Sequence, residues 1–232
     1  MDLAQMTSDV EIWLYGSRAR GDADERSDTD VLVVTDDELP EEWEVPGVPG
    51  STISAYSWSE IEAMHAYGSL FLLHLGREGV RLSPTSTSAT RLDRLLLSLG
   101  PFQRVSHDLR SFRLAQEEAV DSIANGGWFD LELQVLGTVA RHAAILGCYC
   151  IGSPCFGRER PFFELSGHGL IAEETAIRLA RLSTTYRYTP LGASIWDELE
   201  SESLAWLEDL RLLIERLEEF VGRKESTLRA TA

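Results

Sequence analysis

Gly16-Ser17, which ends an alternating stretch, and Asp28-Thr29-Asp30, which opens an apolar one, are residue types whose spacing suits chemistry on a polyphosphate. A glycine lets the backbone turn sharply and lets phosphate approach the main chain, while the Ser17 hydroxyl and the following amides can donate to phosphate oxygens. Arg18 and Arg20 add positive charge nearby. Side chains two apart on a strand share a face, so Asp28 and Asp30 can hold one divalent cation. A hard ion such as Mg²⁺, or Mn²⁺ in its place, takes carboxylate and phosphate oxygens together. A phosphate-holding turn beside a metal-holding strand points to nucleotidyl transfer.

The elements that must position these groups are legible around them. Val10, Ile12 and Leu14 alternate with Glu11, Trp13 and Tyr15, the period of a strand, and Gly16 breaks it. Val31 to Val34 carry the second strand into a core, leaving the two aspartates at its entrance. Thr52 to Tyr56 reads as a third strand, Ser59 to Tyr67 and Leu70 to Arg77 as helices, and residues 78–82 as a closing strand. A plainer reading makes Gly16-Ser17 an ordinary turn and places Asp28 and Asp30 in a solvated acidic loop with Asp22, Asp24 and Glu25. Either half alone fits that reading; the two at this spacing favour a site.

Together these residues resemble the signature of the polymerase β-like nucleotidyltransferase superfamily, especially its small bacterial members, over about the first 85 residues. The resemblance implies that Gly16, Ser17, Arg18 and Arg20 bind the nucleotide and that Asp28 and Asp30 are catalytic carboxylates and metal ligands. It implies Mg²⁺ or Mn²⁺ as cofactor and a nucleoside triphosphate, with ATP expected, as co-substrate. In that family a third carboxylate stands on the next strand, and the matching position here is Ser54. Three explanations stay open: Glu44 or Glu60 reaches in from beside the strand, the helical domain or the acceptor supplies the oxygen, or nucleotide is bound without turnover.

A polar stretch at 83–88 marks a change to helical periodicity. Leu92, Leu95, Leu96 and Leu99 form one stripe, and helices are expected over 103–125, 129–151, 172–182 and 194–223, with fraying after Lys224. The last presents Trp206, Leu207, Leu210, Leu213, Ile214, Leu217 and Val221 on one face, which either packs internally or pairs with a second copy as a homodimer. The expected fold class is therefore α+β: a small mixed-sheet domain at 1–85 followed by an all-α bundle at 86–232. Such a bundle resembles the acceptor-binding domain of aminoglycoside nucleotidyltransferases and the HEPN domain found beside minimal nucleotidyltransferases. The HEPN ribonuclease pattern, an arginine four to six residues before a histidine, is not matched on a suitable helix: Arg141 directly precedes His142, and Arg160 lies too far before His168. Arg158 and Arg160 are candidates for acceptor or phosphate contacts, with solvated loop charges as the competing reading.

The formal net charge is -17, of which residues 1–85 hold -12, from 17 acids against 5 arginines. A field of this sign repels long polyanions, so an extended nucleic-acid partner is not expected. No apolar run reaches the roughly 18 residues that span a bilayer, and the start lacks a signal-peptide pattern, so a cytoplasmic protein is expected. Cys148, Cys150 and Cys155 do not have a zinc spacing and lie in or near an apolar run, where cysteine packs as a small hydrophobe. These readings converge on transfer of a nucleoside monophosphate, AMP by expectation, to a hydroxyl of a small molecule or protein. The alternative is a catalytically reduced nucleotide-binding regulatory module, as in a toxin–antitoxin or defence pair.

Overall fold

Val31 to Val34 are buried without exception, as a strand covered on both faces must be, and this strand is the centre of the first unit. In the computed structural model, which describes residues 10–25, 27–40, 43–83, 88–127, 129–188 and 195–230, the chain divides into two compact units, 1–103 and 104–232. The first has strands β1 (Glu11–Tyr15), β2 (Asp30–Val34), β3 (Thr52–Tyr56) and β4 (Val80–Ser83), with helices α1 (Gly16–Arg20), α2 (Trp58–Ala66), α3 (Leu70–Glu78) and α4 (Arg91–Leu97). The sheet order is β3-β2-β1-β4. Only β2 and β3 run parallel; β1 is antiparallel to both β2 and β4, so the sheet is mixed.

One face of this sheet packs Trp13, Leu32 and Val34 against Trp58 and Ile61 of α2, Leu72 and Leu75 of α3, and Leu92 of α4. The other face, Ile12, Val31 and Val33, is covered by Trp43 and Val45 from the loop before β3. That loop is therefore more than a solvated acidic connection. Its Asp36 also accepts a 3.0 Å hydrogen bond from the Trp58 N–H at the start of α2. Glu11 is 3% exposed, yet its carboxylate is satisfied by the Leu92 N–H at 3.0 Å, the Thr90 hydroxyl at 2.5 Å and the Trp13 indole N–H at 3.3 Å. A buried acid thus fastens the start of α4 to β1.

The second unit is all-helical among its described residues: α5 (Val105–Ala124), α6 (Phe129–Cys150), α7 (Arg160–Gly167), α8 (Glu173–Tyr188) and α9 (Ile195–Ala230). Helix α6 lies against each of the other four. A Cβ at Gly147 would come within 2.8 Å of a Leu217 methyl on α9 and 3.0 Å of a Leu165 methyl on α7, so a larger residue there would have to push both side chains aside. Trp206, Leu210, Leu213, Ile214 and Leu217 are all buried, which places the apolar stripe of α9 inside the unit. Helix α9 continues to Ala230, past the expected fraying point at Lys224. Helix α7 was not expected, because eight residues starting Arg-Pro give too short a period to read. The fold is α+β, as the sequence indicates.

Candidate nucleotide and metal site

The turn and the aspartates meet because of strand register. Antiparallel pairing sets Tyr15 opposite Asp30, so the residue after Tyr15 and those just before Asp30 emerge at the same end of the sheet. Parallel pairing then brings Thr52 to that end, opposite Asp30, with the Thr52 N–H on the Thr29 carbonyl at 2.9 Å. Gly16 has φ +76°, in the left-handed region, and a Cβ there would lie 2.4 Å from Asp30 Oδ2. Glycine is required twice over, by the backbone angle and by the carboxylate against it. What reads in the sequence as a turn is one short helix, α1, closed by Gly21 at φ +79°.

Arg18 and Arg20 are both engaged. The Arg18 guanidinium donates to the Ser27 carbonyl at 2.9 Å, tying α1 to the turn that leads into Asp28. That turn is held further by the Ser27 hydroxyl donating to Asp24 at 2.8 Å. Arg20 pairs with Asp22 and with Glu78 of α3, each at 3.1 Å, and His74 Nε2 stands 3.1 Å from the same Glu78 carboxylate. Arg20 thereby anchors α1 to α3. Ser17 follows Gly16 at the head of α1 and is half-buried.

Behind the aspartates lies a group that the sequence reading passed over. The Tyr15 and Ser54 hydroxyls are hydrogen-bonded at 2.8 Å. The Tyr15 ring meets Phe71 and His74 edge-on, with centroids 5.5 and 6.0 Å away, and Tyr56 lies 5.9 Å from Phe71. Burial pushes the Tyr15 hydroxyl above its ordinary pKa; the Ser54 hydrogen bond opposes this, and the negative charges of Asp30 and Asp28 add to it. Both carboxylates therefore act on one hydroxyl. The available signal was the strand period, which puts Tyr15 on the same face as Trp13, and the three-residue spacing of Phe71 and His74 on one helix.

Registered strand neighbours share a face, so Thr52, Ser54 and Tyr56 are the β3 residues beside Asp30, Leu32 and Val34. None is a carboxylate. Glu60 belongs to the capping box of α2, accepting from the Ser57 N–H at 2.8 Å, beyond the opposite end of β3 from Thr52. Glu44 is exposed between Trp43 and Val45, which cover the other face of the sheet. Among the described residues, no three of His, Cys, Asp and Glu converge as a metal cluster.

In the second unit, Arg158 is half-buried in the loop before α7, and Arg160 is exposed as the first residue of that helix. All three cysteines are free and buried, in keeping with their reading as packed thiols. The Cys148 sulfur stands 3.4 Å from the Pro161 carbonyl oxygen. Cys155 lies beside Cys148, whose hydrogen bond is the main reason its thiol ionises more readily than an ordinary one; the Gly157 N–H and the Arg160 charge add to this against the effect of burial. No helix among the described residues is long and apolar enough to cross a membrane.

No curated protein matches the chain. A family model described as the nucleotidyltransferase domain matches residues 2–71, which include β1 to the beginning of α3 and with them Gly16, Ser17, Asp28, Asp30 and Ser54.

Proposed function

We infer that the first unit transfers a nucleoside monophosphate from a nucleoside triphosphate, with ATP as the expected donor, to a hydroxyl of a small molecule or protein. The α-phosphorus gains a bond to the acceptor oxygen and loses its bond to the bridging oxygen, pyrophosphate departs, and the acceptor proton passes to solvent. The observation that carries this reading is the seat of Gly16 against Asp30, which joins the phosphate turn and the aspartate strand in one place. The family match over the same residues supports it.

In this reading the backbone at Gly16 and the Ser17 hydroxyl orient the β- and γ-phosphates, and Asp28 and Asp30 hold Mg²⁺ against them. The residues present fit such an ion: two half-buried carboxylates at a strand entrance, with a glycine that leaves room beside one of them. When bound, Mg²⁺ neutralises charge on the phosphates and on the departing pyrophosphate. Arg18 and Arg20 serve by fixing α1 and the Asp24–Ser27 turn through the pairs described above. A net charge of -17 favours a neutral or cationic acceptor over an extended nucleic acid.

The reading is tested by incubating the protein with Mg²⁺ and each α-phosphate-labelled ribonucleoside triphosphate in a cell extract. Label is expected on an acceptor with the wild-type chain and not with Asp30→Ala. Equal labelling by the two, with both folded, would overturn the assignment.

A further inference from the structure

The geometry points to a site that holds a single divalent cation, the one that accompanies the nucleotide phosphates, because Ser54 and its partner Tyr15 fill with a neutral hydrogen bond the place from which a second cation would be held. This rests on the nucleotidyl-transfer reading and narrows it. Two dications a few ångströms apart repel strongly and persist only where bridging anions and additional ligands offset that repulsion. Asp28 and Asp30 can bridge, but two carboxylates supply little negative charge to offset a second dication, and the strand next to them, β3, is where a further carboxylate would stand beside Asp30. The residues of β3 on that face are Thr52, Ser54 and Tyr56.

Ser54 is not a spare ligand. Its hydroxyl is bonded to the Tyr15 hydroxyl at 2.8 Å, and Tyr15 is held in turn by the edge contacts with Phe71 and His74. A cation at Ser54 would gain only a neutral oxygen already engaged with Tyr15, a weak ligand for a hard ion that dehydrates reluctantly. Neither acid near the ends of β3 substitutes, since Glu60 is engaged in the α2 cap and Glu44 stands by the opposite face. The lack of any three-carboxylate convergence among the described residues agrees with this arrangement. In consequence, the acceptor hydroxyl is not activated by a metal of its own.

The test is the number of Mn²⁺ ions bound per chain in the presence of a non-hydrolysable α,β-methylene ATP analogue, measured by electron paramagnetic resonance on the full-length protein with nucleotide occupancy determined in parallel. One ion is expected for the wild type and for Ser54→Ala, and two for Ser54→Asp. Two ions on the wild type would overturn the inference while leaving nucleotidyl transfer standing. No ion with the analogue bound would remove both. A folded Ser54→Asp chain that stays at one ion would show that Ser54 does not decide the count; should that variant not fold, the wild-type and Ser54→Ala counts still decide between one ion and two.

Discussion

Gly16 stands against Asp30 so closely that a methyl group on its α-carbon would lie 2.4 Å from the Asp30 carboxylate oxygen, with the backbone at φ +76°. Strand register makes the contact, since Tyr15 and Asp30 are paired and Gly16 comes next. Replacing Gly16 by Ala therefore strains the backbone and pushes Asp30 aside together. The expected cost is about 1–3 kcal/mol in stability, with a larger loss in Mg²⁺-dependent nucleotide binding. Thermal melting and calorimetric titration of the nucleotide check this; binding that survives unchanged would mean that the carboxylate is not needed where it stands.

Glu11 gives a prediction about the fold rather than the site. Its buried carboxylate accepts from Leu92, Thr90 and Trp13, and its removal takes that acceptor from the Leu92 and Trp13 N–H groups, while the Thr90 hydroxyl can turn to Asp93 at 3.1 Å. Glu11→Ala is expected to cost about 2–4 kcal/mol, the range for stranding buried polar groups. Denaturant unfolding measures it, and a loss below about half a kcal/mol would show that water replaces the carboxylate.

The strands and both halves of the site were legible because their signals are local. Alternation marked β1, the apolar run marked β2, and Gly16-Ser17 and Asp28-x-Asp30 stood out by residue type. What stayed hidden depends on partners distant in sequence. Trp43 and Val45 sit among prolines in an acidic loop, and only the fold shows them sealing the second sheet face. The stripe beginning at Leu92 says that a helix buries one side, but not that the side meets Trp13 and Leu32. Arg20 shows in the sequence only as a positive charge near the turn; its pairing with Glu78 spans 58 residues and leaves no local trace. Tyr15 and Ser54 are ordinary strand residues until β2 sets them 2.8 Å apart across it.

The three cysteines should differ in reactivity. The Cys148 hydrogen bond, with help from Gly157 and Arg160, lowers Cys155 below the ordinary thiol value, whereas burial raises Cys150 to about 11. Because the thiolate is the nucleophile, alkylation of the native protein by iodoacetamide should begin at Cys155. Its rate should climb with pH through a midpoint below that of an ordinary thiol and level off above it, where the thiol is already ionised. Peptide mapping by mass spectrometry reads the order; equal labelling at all three, or a midpoint near the ordinary thiol value, would contradict it.

The central claim is that Asp28 and Asp30 serve one transfer reaction, and it is tested most directly by pyrophosphate release. The wild type, Asp28→Asn and Asp30→Asn are compared with Mg²⁺, each ribonucleoside triphosphate and an extract supplying acceptors, and circular dichroism confirms that all three are folded. Release by the wild type that falls by at least about a hundredfold in each variant, the scale for losing a group that stabilises transition-state charge, is the expected result. Release that persists in either variant, or is absent from a wild type that binds nucleotide, would contradict it.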